Sequence, residues 1–232
     1  MTNMLLTGSS RGIGAAVADA LVARADVHLI GHGTRTGIPA DFAQPGAARS
    51  LWDAALDRLG VIDVLINNAG IFEGNPIDRD DADWLAGWER TMRVNLTASA
   101  ELCRLAVRHW QERGTGGRIV NVASRAAYRG DSPAHWHYAA SKAGMAAMTK
   151  TIARGYAAEG ILAFAVCPGF TMTGMADDYL ASRGGDELLA DIPLGRVASP
   201  AEVADVVSYL ALQAPPSMTG AVIDVNGASY VR

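Results

Sequence analysis

The sequence predicts an α/β fold: one domain over residues 1–232 with a doubly wound parallel sheet of about seven strands. Three observations predict it. Short apolar runs alternate with longer helical patterns from end to end. A glycine-rich turn joins the first apolar run to the first helical pattern. No Ser/Pro-rich linker or internal repeat divides the chain. Half of the 232 residues are hydrophobic and 19% are charged, which supplies a sizeable core and excludes global disorder.

The strands, in order, are Met4-Leu5-Leu6, Val27 to Ile30, Ile38-Pro39, Val61 to Ile66, Arg118 to Ala123, Ile161 to Cys167 and Ala221 to Val225. The longer runs are apolar throughout rather than alternating, as in strands covered on both faces. Helical patterns cover about 13–24, 46–58, 81–113, 136–159 and 200–213. The last opens on Ser199-Pro200 with Glu202 three residues after Ser199, a capping box with proline at the first helical position. Only Gly31 to Gly37 separate strand two from Ile38-Pro39. A crossover carrying a helix needs roughly ten or more residues. Seven extended residues reach about 23–25 Å, enough to run back beside a short strand. The helix between strands two and three is therefore expected to be missing.

Composition excludes several classes. The net charge of −4 leaves no basic stripe for nucleic acid. Cys103 and Cys167 make no disulfide framework and suit a reducing compartment. The start of the chain lacks the basic region of a signal peptide, and no run approaches the roughly 20 apolar residues of a membrane span. A cytoplasmic protein with no membrane partner is expected. His28, His32, His109, His135 and His137 form no H-E-x-x-H pattern, so no metal site is spelled out.

The first chemistry-bearing motif is Thr7-Gly8-Ser9-Ser10-Arg11-Gly12-Ile13-Gly14, at the end of strand one and the start of a helix. Gly8 permits a tight turn, Gly12 lets backbone approach a ligand, and Gly14 packs helix against sheet. The helix N-terminus offers free N–H groups and a positive dipole end to a pyrophosphate. This is the Rossmann-type arrangement; a plain glycine-rich turn is the alternative.

Further motifs follow in order. Asn67-Asn68-Ala69-Gly70 ends strand four, and Asn95 lies inside a long helical stretch. Ser124 ends strand five, with Tyr138-Ala139-Ala140-Ser141-Lys142 fourteen residues later. Pro168-Gly169-Phe170-Thr171-Met172-Thr173 ends strand six. This order and spacing resembles the short-chain dehydrogenases/reductases, and within them the group like 3-oxoacyl-[acyl-carrier-protein] reductase, over nearly the whole chain. One departure is Val225-Asn226-Gly227-Ala228, where the family often has Asp-Gly-Gly. The missing helix is the larger one.

The resemblance implies hydride transfer between a nicotinamide cofactor and a secondary alcohol or ketone, such as a 3-oxoacyl thioester, a polyol or another small carbonyl compound. It assigns catalysis to Asn95, Ser124, Tyr138 and Lys142. It implies cofactor contacts from Gly8, Ser10, Arg11, Gly12, Ile13 and Gly14, from Asn68, Ala69 and Gly70, and from Tyr138 and Lys142. Pro168, Gly169, Thr171 and Thr173 are expected at the nicotinamide carboxamide, and Asp41 and Phe42 at the adenine edge. Residue chemistry agrees: Tyr138 and Lys142, four apart on a helix, face the same way. The ammonium is expected to pull the phenol below its usual value near 10.

NADP(H) is favoured over NAD(H). No carboxylate follows strand two before Asp41, while Thr34 and Arg35 offer partners for a 2′-phosphate and Arg11 is a second cation. Residues 172–193, partly apolar with Gly184-Gly185 as a hinge, are read as a substrate lid. His135, Trp136 and His137 lie where relatives line the substrate pocket, and Arg125 and Arg129 follow Ser124. Helices 81–113 and 136–159 carry apolar residues on more than one face, and relatives pair such helices across a two-fold axis, so a homotetramer is expected. The alternative function is a non-catalytic dinucleotide-binding regulator, since fold does not fix function. A degenerate member would usually lack Ser124, Tyr138 or Lys142, and this chain has all three. An extended nucleotide-sugar epimerase would need more chain.

Overall fold

A computed structural model of the protein describes residues 1–172 and 189–232. Its strands are β1 (Thr2–Thr7), β2 (Val27–Gly33), β3 (Ile38–Pro39), β4 (Val64–Asn67), β5 (Gly117–Val122), β6 (Ile161–Pro168) and β7 (Val222–Val225). They form one seven-stranded sheet in the order β3-β2-β1-β4-β5-β6-β7, each neighbouring pair parallel. With helices on both faces this is the predicted Rossmann-type α/β fold.

Successive strand residues point to opposite faces, and the core divides accordingly. Leu5, Leu65, Ile119 and Ala163 face one layer, whose helices are α2 (Ala47–Leu59), α4 (Ala98–Arg113) and α6 (Trp136–Tyr156), the last preceded by the one-turn α5 (Ala126–Arg129). Met4, Leu6, Val64, Ile66, Val120 and Phe164 face the other, built on α1 (Gly12–Val22) and α7 (Pro200–Leu212). Trp110 anchors the first layer: it donates Nε1–H to the Ile62 carbonyl at 2.7 Å and lies so flat on Gly117 that a Cβ there would overlap its ring.

Local signals set the helix ends. Asp80 caps α3 (Asp81–Met92) by accepting from the Asp83 N–H, and Asp81 and Asp83 complement the dipole in its first turn. The 81–113 pattern is continuous, but a π-helical turn at Arg93–Thr97 divides it between α3 and α4. The capping box forms as expected: Ser199 Oγ accepts from the Glu202 N–H at 3.2 Å, and the Glu202 carboxylate accepts from the Ser199 N–H at 2.8 Å. The Arg196 guanidinium, then the Ser199 N–H, hold the Glu202 carboxyl down at about 2. Ser199→Ala is expected to lower stability by about 1 kcal/mol. A lower urea midpoint with unchanged slope checks it.

The expected missing helix is missing, and the connection is shorter than the sequence suggested. β2 runs on to Gly33, so only residues 34–37 join it to β3, with His32 opposite Ile38 and Gly33 opposite Pro39. Gly37 makes this reversal at φ +66°, where a Cβ would overlap the Gly31 carbonyl oxygen. No helix among the described residues is long and apolar enough to cross a membrane.

Candidate active site

The glycine-rich loop lies at the carboxyl end of β1. Gly8 adopts φ +67° and Gly12 φ +55°. A Cβ on Gly8 would stand 2.7 Å from Ala69 Cα, and one on Gly14 would overlap the Gly8 carbonyl oxygen. The loop, α1 and the turn after β4 therefore meet backbone to backbone. No side chain caps α1, so its first-turn N–H groups lack intrahelical partners and present a positive dipole end. Ser10 and Arg11 are exposed beside them. An uncapped helix end behind glycines that hold the backbone open fits a dinucleotide pyrophosphate.

Asn68 clamps this loop from β4. Its Nδ2 donates to the carbonyls of Thr7 (3.2 Å) and Gly8 (2.9 Å). Thr7 Oγ1 accepts from the N–H groups of Asn68 and Ala69, both at 3.0 Å. The Asn68-Ala69-Gly70 turn is thus a structural tie to the glycine-rich loop.

Asn95, Ser124, Tyr138 and Lys142 come together next to it. Ser124 lies two residues beyond the end of β5, and its Oγ accepts from the Ala126 N–H at 3.1 Å. Tyr138 and Lys142 sit one turn apart on α6, as their spacing predicted. Lys142 is buried, donates to the Val122 carbonyl at 2.8 Å, and lies 5.8 Å from the Tyr138 ring centroid. Asn95 is fully buried in the π-helical turn. Its Oδ1 accepts from the Ile71 N–H (2.8 Å), and its Nδ2 donates to the Ile71 carbonyl (3.0 Å) and Ser141 Oγ (3.3 Å). Ser141 in turn donates to the Tyr138 carbonyl at 2.7 Å. A Cβ on Gly70 would stand 3.4 Å from Asn95 Oδ1 and 3.5 Å from Lys142 Nζ, so the glycine brings backbone between the two.

The electrostatics differ from the sequence expectation. Burial pushes the Tyr138 phenol up to about 12, against a hydrogen bond with Ser124 that pulls it down. Burial also brings Lys142 down to about 8. In the free protein the ammonium, 5.8 Å from the ring centroid, does not offset this desolvation of the phenol.

The remaining predicted residues are distributed around this core. Gly169 packs on the turn after β7, where a Cβ would stand 2.8 Å from Asn226 Cβ. Thr171 is buried and donates to the Gly169 carbonyl at 3.3 Å. Thr173 and most of the expected lid lie outside the described residues. Thr34 and Arg35 are exposed, and neither Arg11 nor Arg35 has an ion-pair partner among the described residues. Asp41 is exposed and accepts from the Ala43 N–H at 3.0 Å. The Phe42 side chain is buried and stacks on His32.

Three features were not anticipated. Phe72 lies edge-on to Tyr138, with ring centroids 4.8 Å apart, and stacks on His135 at 3.9 Å. Its place two residues after Gly70 was the available signal. Arg125 is 92% buried rather than solvated, above the Phe170 ring (4.8 Å) and 3.7 Å from Asp191. His32 is buried under the glycine-rich loop.

Comparison with known proteins gives the family of the chain. A family model described as enoyl-(acyl carrier protein) reductase matches residues 23–228. The 3-oxoacyl-[acyl-carrier-protein] reductase of Vibrio cholerae is 33% identical, covering 98% of this chain and 96% of its own. The 3β-hydroxysteroid dehydrogenase 1 of Eggerthella lenta is 34% identical, covering 97% and 92%. Among solved structures, a putative 2-deoxy-D-gluconate 3-dehydrogenase from Agrobacterium tumefaciens with bound NADP superposes with a TM-score of 0.88 at 28% identity, covering 100% and 97%. The chain belongs to the short-chain dehydrogenase/reductase family and is an enzyme acting on alcohol or keto groups.

Proposed function

We propose that the protein reduces a ketone, or oxidises the matching secondary alcohol, with NADP(H), through Ser124, Tyr138, Lys142 and Asn95. The observation that carries this reading is the meeting of all four at the carboxyl ends of β4 and β5, with the Gly70 backbone between Asn95 and Lys142. The cofactor supplies the hydride. Tyr138 gives its phenolic proton to the carbonyl oxygen, and Ser124 hydrogen-bonds the same oxygen and orients it. Lys142, one helical turn from Tyr138, supplies positive charge on the side of the phenolate that remains, and Asn95 holds the helix and the proton path behind it. Gly12, Ile13 and Gly14 bind the pyrophosphate with their N–H groups. Asp41 and the Phe42 backbone border the adenine, and Pro168, Gly169, Thr171 and Thr173 the nicotinamide. The three relatives named above act, by name, on a 3-oxoacyl thioester, a steroid and a sugar acid. Their common chemistry is a secondary alcohol or ketone, which is the substrate class proposed.

Preference for NADP(H) rests on Arg11 and Arg35, both exposed cations without a protein partner among the described residues. It rests also on the lack of a carboxylate at the end of β2. The relative with bound NADP supports it. Fluorescence titration is expected to give a lower Kd for NADPH than for NADH. Arg11→Ala/Arg35→Ala is expected to raise the NADPH value about tenfold or more, from the loss of charge-assisted hydrogen bonds. Equal or tighter NADH binding overturns the preference. We further read the protein as a cytoplasmic homotetramer, in which Leu85 and Trp136, both more than half exposed, are covered by a second copy.

A further inference from the structure

We infer that His32 is the positioning residue of the dinucleotide site, holding the glycine-rich loop and the end of β3 in one place without a crossover helix. The inference rests on the cofactor reading above. The ring is 4% exposed at the carboxyl end of β2. Nδ1 lies 3.3 Å from the Gly8 backbone nitrogen and Nε2 lies 3.0 Å from the Ala40 carbonyl oxygen. An N–H facing Nδ1 and a carbonyl facing Nε2 admit one arrangement: a neutral imidazole that accepts from Gly8 at Nδ1 and donates from Nε2. The His32 carbonyl also accepts from the N–H (2.9 Å) and the hydroxyl (3.2 Å) of Ser9. Phe42 stacks on the ring at 4.4 Å.

The neighbouring glycines make this seat possible. A Cβ on Gly31 would overlap Ser9 Oγ, and one on Gly33 would stand 2.7 Å from Thr36 Oγ1 and 3.4 Å from Ser10 Cβ. Gly31-His32-Gly33 is thus fitted under Gly8-Ser9-Ser10, with both ring nitrogens joining segments that an intervening helix would otherwise hold. Gly8 is the residue whose φ +67° starts the phosphate turn, so a shift of its N–H displaces the uncapped end of α1.

A second proton on the ring would set Nδ1–H against the Gly8 N–H. Burial already holds the ring below its ordinary 6.5, opposed only by the Ala40 hydrogen bond. Among the described residues no charged side chain touches the ring: Gly8 and Ser9 face it from the β1 loop, and Ala40 and Phe42 from beyond β3. Arg11, Arg35 and Asp41 belong to the same two loops but are exposed. With the folded value depressed, the neutral seat is complete above 6.5 and is lost as pH falls through the folded value.

The test uses the intact protein with NADPH. His32→Asn keeps an acceptor near Nδ1, whereas His32→Gln reaches only toward Nε2. We expect NADPH Kd to rise about tenfold or more in His32→Gln and no more than about threefold in His32→Asn, with kcat at saturating NADPH nearly unchanged in both. Nitrogen NMR of the cofactor-free wild type should show the Nε2–H tautomer, titrating below 6.5. Unaltered NADPH affinity in a folded His32→Gln protein overturns the inference alone, as does a ring that titrates like a free histidine. Should a variant fail to fold, the wild-type NMR result still decides. A wild type that binds neither NADPH nor NADH overturns the cofactor reading itself, and this inference with it.

Discussion

Tyr138→Phe is expected to lose kcat by about 10²- to 10⁴-fold, the usual contribution of a positioned proton donor, while NADPH Kd stays within about threefold. The substitution removes one oxygen and leaves the ring edge-on to Phe72, so packing is kept and only the proton is withdrawn. Steady-state kinetics with fluorescence titration separate the two effects. Near-normal turnover would remove Tyr138 from the reaction. The pH profile carries the same information. In the free protein the phenol stands at about 12 and Lys142 at about 8. Reduction needs the phenol protonated and the ammonium charged. kcat/KM for reduction should therefore hold on the acid side of 8 and fall as pH rises through it, because Lys142 deprotonates first. A flat profile to pH 10 would contradict the role given to Lys142.

The second large effect is expected at a position with no titratable group. In Gly14→Ala the added methyl overlaps the Gly8 carbonyl oxygen and also meets Asn68 Nδ2. One obstacle is backbone and the other is held by two hydrogen bonds, so no rotamer change relieves the clash. Overpacking of this kind costs about 1–3 kcal/mol, and it pushes apart the segments that form the phosphate cradle. Loss of urea stability together with loss of NADPH binding is the expected result. A variant as stable as wild type would show that α1 can slide, and would weaken the account of the cradle.

The parts of this molecule written in periodic apolar runs were legible in the sequence. Leu5 and Leu6 serve opposite faces of the sheet, and that double burial is what makes a strand read as an uninterrupted apolar run. Ser199 and Glu202 announced their capping box because both partners lie within one turn. Gly31-His32-Gly33 has the composition of a turn, so the sequence alone ends strand two at Ile30. Its glycines instead clear space for Ser9 and Ser10, some two dozen residues earlier in the chain, and no local pattern encodes such an approach. The four residues proposed for catalysis are marked in the sequence by the motifs of the family, but the state of the Tyr138 phenol is not. It depends on how much water the surrounding elements exclude, a property of the packed site rather than of the helix that carries the pair.

The four-residue link between β2 and β3 also bears on how the sheet assembles. His32 pairs with Ile38 only six residues along the chain, whereas the β1–β4 pairing joins Met4 to Val64. Bringing the ends of a short loop together costs less chain entropy than closing a long one, and contacts between near neighbours form fastest. The β2–β3 pairing is the most local in the sheet, so this edge is expected to form early and without a helix docking beside it.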